Sequence, residues 1–209
     1  MRRILLAAAL ATAAISPAEA ETAVLAGGCF WCVESDMDAL KGVTSTISGY
    51  AGGTAKNPTY KNHEGYLEAV KVEFDPAIIS YDELVARFLR TIDVTDAAGQ
   101  FCDRGESYTT AIFATSPEQL ASAEAAIKEA GAALGKTVAT PVKPFTTFTD
   151  AEDYHQNYYL GKNRVFTRFG WIKQSDAYKR YRESCGRDVR VKQVWGKDAF
   201  TDGRINGDS

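Results

Sequence analysis

Two glycines, Gly27-Gly28, separate segments with different hydrophobic patterns. The short apolar segment from Thr22 to Ala26 is typical of a strand, whereas CFWCVESDMDAL after the glycines has apolar residues at helical spacing. Glycine allows a tight turn and a close approach of a ligand to the backbone. The sequence therefore predicts a strand, a sharp turn and a helix whose first turn carries Cys29.

Strand and helix patterns continue along the chain. Alternation predicts strands over 43–50 and 67–74, and a capping box of Ser80 and Glu83 opens a helix over 80–92. The later predicted elements are a strand over 108–114, a helix over 117–134 between Ser116 and Gly135, a strand over 138–142, and helices over 151–160 and 175–183. This order predicts a single α+β domain with a mixed sheet covered by helices. The long loops near 50–65 and 100–108 are expected to be functional.

The two ends of the chain have a different composition from the middle. Arg2 and Arg3 precede the uncharged run ILLAAALATAAI, and Ala18-Glu19-Ala20 fits a small-x-small cleavage site. This pattern predicts a signal peptide over residues 1–20, and the run is shorter than the ~20 residues that cross a bilayer. We expect an exported domain over 21–195, periplasmic in a Gram-negative bacterium and free of the membrane after cleavage. Residues 196–209 are polar and predict a disordered tail.

The charge of the chain excludes one class of partner. The 209 residues carry a net charge of −3, which provides no general attraction to nucleic acids. Partners are therefore expected to bind at a specific site, and a monomer is the default expectation.

Cys29 lies where a reactive thiolate is favoured. The free N–H groups and the dipole at the start of a helix stabilise negative charge. Phe30 and Trp31 follow at once, and neighbouring side chains lie about 100° apart on a helix. At least one of the two rings should therefore border the space beside the thiol. Aromatic rings are suited to hold a small apolar group such as a methyl on sulfur.

Cys32 completes a C-x-x-C motif with three interpretations. A redox dithiol is geometrically allowed, since residues three apart on a helix lie within the range of about 4.4–6.8 Å for disulfide Cα atoms. A zinc site would need a second pair of cysteines close in sequence, but Cys102 and Cys185 are far apart. Haem attachment needs a histidine where the chain has Val33. The motif therefore favours a redox dithiol over a zinc site and excludes haem attachment.

Six motifs occur in a characteristic order between Gly28 and about Tyr159: GCFW, GYAGG, NPTY, a glutamate within a strand, D-x-G-x-x-Y, and AEDYHQ. In this the chain resembles the A-type peptide methionine sulfoxide reductases. The resemblance implies an α+β two-layer sandwich around a mixed sheet, with a ferredoxin-like core. It also implies reduction of the S epimer of methionine sulfoxide, free or in proteins, without a metal or organic cofactor.

The resemblance assigns roles to seven residues. Cys29 matches the nucleophile, and Glu68 matches a strand glutamate that shares a proton with the sulfoxide oxygen. The other five match groups that bind the substrate: Phe30 and Trp31 around the methyl group, Tyr50 and Tyr108 as hydrogen-bond donors to the oxygen, and Asp103 as a nearby polar residue. For His155 a structural hydrogen bond and a substrate contact are both open.

The recycling step follows from the chemistry of the oxidised thiol. Attack on the sulfoxide sulfur converts Cys29 to a sulfenic acid, which a second thiol removes as a disulfide. A thioredoxin-like donor would then restore the dithiol. Two schemes fit: Cys32 resolves Cys29 while Cys102 and Cys185 form a disulfide, or Cys102 or Cys185 resolves Cys29. We favour the first, because an exported protein readily keeps a structural disulfide.

Two other functions compete with a reductase. A general dithiol-disulfide oxidoreductase would use Cys29 and Cys32, but it leaves Glu68 and the aromatic pair without a role. A non-enzymatic binding module for oxidised or Met-rich peptides would have purely structural thiols.

Overall fold

The computed structural model describes residues 19–201. Six of the ten strands in this range form one mixed sheet. The ten strands are β1 (Glu21–Gly27), β2 (Val43–Ala51), β3 (Leu67–Phe74), β4 (Gly99–Gln100), β5 (Asp103–Arg104), β6 (Thr110–Ala114), β7 (Val142–Pro144), β8 (Phe148–Asp150), β9 (Arg164–Thr167) and β10 (Gly170–Lys173). The sheet has the order β7-β6-β1-β3-β2-β8, antiparallel except for the parallel pair of β6 and β7. The α+β domain with a mixed sheet is confirmed.

Five helices accompany the sheet in the described part of the chain: α1 (Phe30–Asp38), α2 (Tyr81–Leu89), α3 (Pro117–Leu134), α4 (Gln174–Cys185) and α5 (Arg187–Trp195). The predicted caps are confirmed. The Ser80 hydroxyl accepts from the Glu83 N–H and the Ser116 hydroxyl accepts from the Gln119 N–H, and Gly135 ends α3 in a left-handed conformation. Each cap satisfies backbone groups that the helix leaves free.

The first half of strand β3, from Leu67 to Val70, is buried on both of its faces. Leu67 and Ala69 belong to one apolar cluster, whereas Val70 and Val72 belong to the larger core beneath α1 and α2. Since side chains alternate along a strand, Glu68 lies on the same face as Val70. Glu68 is therefore buried on the side of the larger core.

Three predicted elements differ from the structure. The strand over 138–142 starts only at Val142, because the Ala139 N–H bonds to a loop carbonyl, that of Val94. The helix over 151–160 is two short 3-10 turns, separated by Asn157 at a positive φ of 52°. The predicted disordered tail begins with a 3-10 helix, Gly196–Asp198, and the N–H of Phe200 donates to the carbonyl of Arg90.

The C-terminal part forms a separate layer of the molecule. The hairpin of β9 and β10, which the sequence did not predict, packs against α4 near the start of α1, and α4 in turn contacts α5. Residues 1–18, with most of the predicted signal peptide, and residues 202–209 lie outside the described residues. Within 19–201 no helix is both long enough and apolar enough to cross a membrane.

Candidate active site

Cys29 is the N-cap residue of α1, at the end of the turn that leaves β1. Gly28 has a positive φ of 80°, and a Cβ atom there would lie 2.6 Å from the Cβ of Gln100. Only glycine satisfies both conditions. The predicted strand, turn and helix are thus confirmed, and the turn holds Cys29 at the helix start, partly buried.

Cys29 borders a cavity of about 330 Å³ between the sheet and the C-terminal layer. Eight of the other residues predicted for the site also line it: Phe30, Trp31, Cys32, Glu68, Cys102, Asp103, Tyr108 and Cys185. The other residues that line the cavity have no role predicted from the sequence, and they include Tyr60, Arg182 and Arg187. The cavity has the size of a small-molecule site.

Tyr50 does not line this cavity. It lies near the end of β2, fully buried, and its hydroxyl donates to Glu152 at 2.9 Å. Tyr60, the last residue of NPTY, instead shares the cavity with Tyr108. The backbone N–H of Tyr60 donates to the same Glu152 carboxylate at 3.0 Å, which anchors its loop. The structure therefore replaces Tyr50 with Tyr60 as the second tyrosine near the thiol.

Both cavity tyrosines are held neutral. Burial, with the nearby Glu68 carboxyl, raises the pKa of Tyr60 to about 12, and the same two causes raise the pKa of Tyr108 further. A neutral phenol keeps its O–H and donates a hydrogen bond. Tyr60 and Tyr108 can therefore act as donors to an oxygen in the cavity.

Glu68 is a buried carboxyl group that lines the cavity. It is 1% exposed, and its Oε2 accepts a hydrogen bond of 3.0 Å from the Phe30 N–H. Burial raises the pKa of Glu68 to about 8, opposed by this hydrogen bond and reinforced by Asp103. Glu68 is consequently protonated for the most part at neutral pH, the state in which a carboxyl group donates a proton.

The two free cysteines differ in their electrostatic surroundings. The hydrogen bond that links their thiols and burial raise the pKa of Cys29, and Glu68 and Asp103 add to the effect. The same hydrogen bond lowers the pKa of Cys32, and Arg187 and Arg182 lower it further. When the pair loses one proton, the negative charge is therefore favoured on Cys32.

The two arginines lie near Asp36 at the junction of α4 and α5. Arg182 contacts Asp36 at 2.8 Å and Asp188 at 2.7 Å. Arg187 is 1% exposed, and its Nη1 donates to the carbonyl of Gly27 at 3.2 Å. Its Nε lies 3.7 Å from Asp36, and neither Nε nor Nη2 has a hydrogen-bond partner among residues 19–201. A buried guanidinium with free donors favours an anion next to it.

Trp31 is fixed by contacts on two sides. Its ring stacks on Tyr158 with centroids 3.8 Å apart, and its Nε1–H donates to Nδ1 of His155 at 3.2 Å. Burial lowers the pKa of His155 to about 4, so its imidazole is neutral and able to accept this bond. His155 does not line the cavity, and its contact with Trp31 is the structural hydrogen bond of the two alternatives.

The other two cysteines form a disulfide at the rim of the cavity. The bond joins Cys102, between β4 and β5, to Cys185, the last residue of α4, with Cα atoms 5.1 Å apart. Cys102 is exposed and Cys185 is partly exposed. This pairing is the one in the first of the two recycling schemes, which leaves Cys32 beside Cys29.

Comparisons with known proteins show the family to which the chain is similar. The family model described as peptide methionine sulfoxide reductase matches residues 21–198. The peptide methionine sulfoxide reductase MsrA 2 of Rhizobium meliloti is 48% identical over 88% of this chain and 87% of its own length. The protein of the same name from Caulobacter vibrioides is 47% identical over 94% of this chain and 100% of its own length.

Three solved structures of related proteins are similar to this one. Reduced Mxr1 from Saccharomyces cerevisiae has a TM-score of 0.64 at 31% identity, over 68% of this chain and 86% of that one. Methionine sulfoxide reductase A of Corynebacterium diphtheriae has a TM-score of 0.61 at 30% identity, over 68% and 74%. Mxr1 in complex with Trx2 has a TM-score of 0.50 at 27% identity, over 70% and 90%.

Proposed function

Because the chain belongs to the peptide methionine sulfoxide reductase family, of the MsrA type, we propose a mechanism in which Cys29 attacks the sulfoxide sulfur and Cys32 regenerates it. The protein is an oxidoreductase that reduces methionine sulfoxide to methionine. One observation supports the mechanism most directly. The free thiol of Cys29 and the protonated carboxyl group of Glu68 line the same cavity.

The sulfoxide oxygen must be activated before it leaves sulfur. Glu68 donates its proton to this oxygen, and the hydroxyl groups of Tyr60 and Tyr108 stabilise the charge that develops there. Phe30 and Trp31 border the same space and hold the S-methyl group. Asp103 lies at the edge of the site, where it strengthens the retention of the Glu68 proton.

The two thiols have different roles in the proposed reaction. The Cys32 thiolate takes the proton of Cys29 through the hydrogen bond between them, and the Cys29 thiolate attacks the sulfoxide sulfur. The oxygen passes to Cys29, methionine leaves, and a sulfenic acid remains. The Cys32 thiol then attacks the Cys29 sulfur, with loss of water, and a Cys29–Cys32 disulfide forms.

An external dithiol completes the cycle. We propose a thioredoxin-like reductant, which exchanges its own dithiol for the Cys29–Cys32 disulfide. The support for this is that the similar protein Mxr1 has been solved in complex with Trx2. In this scheme the Cys102–Cys185 disulfide stabilises the rim and takes no part in turnover.

Three further proposals concern the rest of the molecule. Strands β6-β1-β3-β2 with α1 and α2 as crossovers support a two-layer sandwich with a ferredoxin-like core. The N-terminal sequence supports export, to the periplasm of a Gram-negative source, and N-terminal sequencing of the exported protein should start at Glu21. Sedimentation should show a monomer.

The decisive experiment separates the attacking thiol from the resolving one. The reduced protein is incubated with the S or the R epimer of a methionine sulfoxide peptide, with and without dithiothreitol. We expect turnover of the S epimer alone. Cys29→Ser should abolish it, by more than about a thousandfold, because the nucleophile is lost. Cys32→Ser should retain turnover with dithiothreitol, which removes the sulfenic acid in its place.

A double variant, Cys102→Ser with Cys185→Ser, is the control for the resolving step. Without dithiothreitol it should release one methionine per protein molecule and form the Cys29–Cys32 disulfide. Failure of this variant to form a disulfide would transfer the resolving role to the rim cysteines. If no variant or wild-type protein forms methionine while protein disulfides are reduced, the mechanism is wrong and disulfide exchange replaces it.

A further inference from the structure

The outer face of the β9–β10 hairpin carries two exposed aromatic side chains. Phe166 and Trp171 are directly opposite each other in the antiparallel pair, and they are 83% and 57% exposed. Their neighbours Val165 and Ile172 point the other way and pack beside Cys32 and Tyr178. The hairpin is thus anchored by one face and presents the other to solvent. Paired large apolar side chains on a surface are typical of a binding site.

This face is continuous with the active-site cavity. Val165, Phe166 and Thr167 all line the cavity in which Cys29 lies. Phe166 therefore belongs both to the cavity wall and to the exposed face, and Trp171 extends the face away from the cavity. A ligand that fills the cavity and projects out of it has these rings as its next contacts.

The hairpin is also strongly basic. Residues 162–173 contain four cations and no acidic residue, although the whole chain has a net charge of −3. All four are exposed: Lys162, Arg164, Arg168 and Lys173. The local charge favours an acidic partner and disfavours a basic one.

The chemistry of the reaction determines what must cross this rim. Only the methionine sulfoxide side chain reaches Cys29, so the backbone and the flanking residues of a peptide substrate stay at the mouth of the cavity. We propose that the hairpin face, formed by Phe166, Trp171 and the surrounding basic side chains, binds the substrate polypeptide next to the methionine sulfoxide. It selects unfolded segments with apolar and acidic residues at that place. This inference rests on the proposed function of the cavity.

The test compares a peptide with the free amino acid in one preparation. Trp171→Ser is used because Trp171 belongs to the hairpin face without lining the cavity. Ile78→Ser is the matched control, since Ile78 is 51% exposed and lies in the turn between β3 and α2. We measure kcat/KM for free methionine sulfoxide and for peptides with aspartate or lysine on both sides, with dithiothreitol as the reductant, at low and high salt.

In Trp171→Ser the ratio of kcat/KM for peptide to that for free methionine sulfoxide should fall about tenfold, through a higher KM, because a ring no longer covers the peptide. Ile78→Ser should keep the wild-type ratio. The aspartate peptide should be preferred over the lysine peptide, and high salt should remove the preference.

Three outcomes would overturn the inference. The peptide ratio could be unchanged in Trp171→Ser. The effect could appear only when a thioredoxin replaces dithiothreitol, which would make the face a docking site for the reductant. Sedimentation could show that Trp171→Ser dissociates a dimer. If the wild-type protein reduces neither the peptide nor free methionine sulfoxide, the proposed function itself is wrong.

Discussion

The active-site cavity has two walls that act in opposite ways on its two free cysteines. We call them the sheet wall, with Glu68, Tyr60 and Tyr108, and the C-terminal wall, with Arg182 and Arg187. The sheet wall brings Glu68 and two neutral tyrosines towards Cys29, and all of these groups hold protons. The C-terminal wall brings Arg182 and Arg187 towards Cys32, where they favour the loss of a proton. Cys29 and Cys32 are only three residues apart at the start of α1, yet their thiols thus lie in two different electrostatic environments.

This difference lets one cavity hold an acid and a base at the same pH. A sulfoxide reductase needs both, since the oxygen must gain a proton while the sulfur nucleophile must lose one. Activity should therefore depend on pH as a bell, with the thiol pair on the acidic limb and Glu68 on the basic limb. Each wall can be altered separately, which gives four tests of the comparison.

The largest effect is expected from Glu68→Gln on the sheet wall. An amide cannot transfer a proton to the sulfoxide oxygen, so kcat for methionine formation should fall by about a hundredfold or more. In the wild type, activity should decline as the pH rises through about 8, where Glu68 loses its proton. The variant should lose this basic limb and keep the acidic one, as measured by single-turnover rates across pH.

The same substitution should stabilise the fold. The pKa of a carboxyl group is about 4.3 in an unfolded chain, and the folded value of about 8 means that the free energy of unfolding falls as the pH rises between these values. Glu68→Gln removes that cost, so at pH 7 it should increase the free energy of unfolding by about 1–3 kcal/mol. Below about pH 4 the pH-dependent part of the gain should vanish. A variant that is both slower and less stable at pH 7 would contradict a neutral Glu68.

A smaller effect should distinguish the two tyrosines that the sequence and the structure assign differently. Tyr60→Phe removes a donor from the cavity and should lower kcat about tenfold or more. Tyr50→Phe leaves the cavity intact and removes only the bond to Glu152, so its kcat should change less than about threefold while the free energy of unfolding falls by about 1 kcal/mol. Reversed results would restore the original assignment of Tyr50.

The tyrosines also show where prediction from sequence ends. The turn at Gly28 and the first turn of α1 are local features, and they place Cys29 at the start of the helix as predicted. Tyr50 and Tyr60 lie in adjoining motifs of one strand and loop, and which of them reaches the cavity depends on how the loop folds back. Its anchor, Glu152, is 92 residues away from Tyr60 in sequence.

The C-terminal wall was predicted least well. Strands β9 and β10 carry apolar residues on both faces, Val165 and Ile172 inside with Phe166 and Trp171 outside, so the alternation of a half-buried strand is missing. Nothing near Arg187 in sequence marks it as a partner of Cys32, because the contact depends on the packing of α5 against α1. The role of this wall could be recognised only from the fold.

The subtlest test is therefore Arg187→Gln, which changes the charge on the C-terminal wall. Without this cation the Cys32 thiolate is less favoured, so its pKa should rise and the acidic limb should move to higher pH. A shift of one unit would slow the single-turnover rate about tenfold on that limb, with little change at the optimum. Arg187→Lys should retain most of the wild-type profile, and Arg180→Gln, on the exposed side of α4, should retain all of it.

The shape of the pH profile separates charge from packing. Arg187 also bonds to Gly27 and lies over the ring of Phe101, so its loss could disturb the turn before Cys29. A disturbed turn would lower the rate equally at every pH and would affect the basic limb as much as the acidic one. A displaced acidic limb with an unchanged basic limb has no such explanation, because only the ionisation of the thiol pair has changed. A uniform loss would mean that the two walls differ in structure but not in the protonation states that they impose.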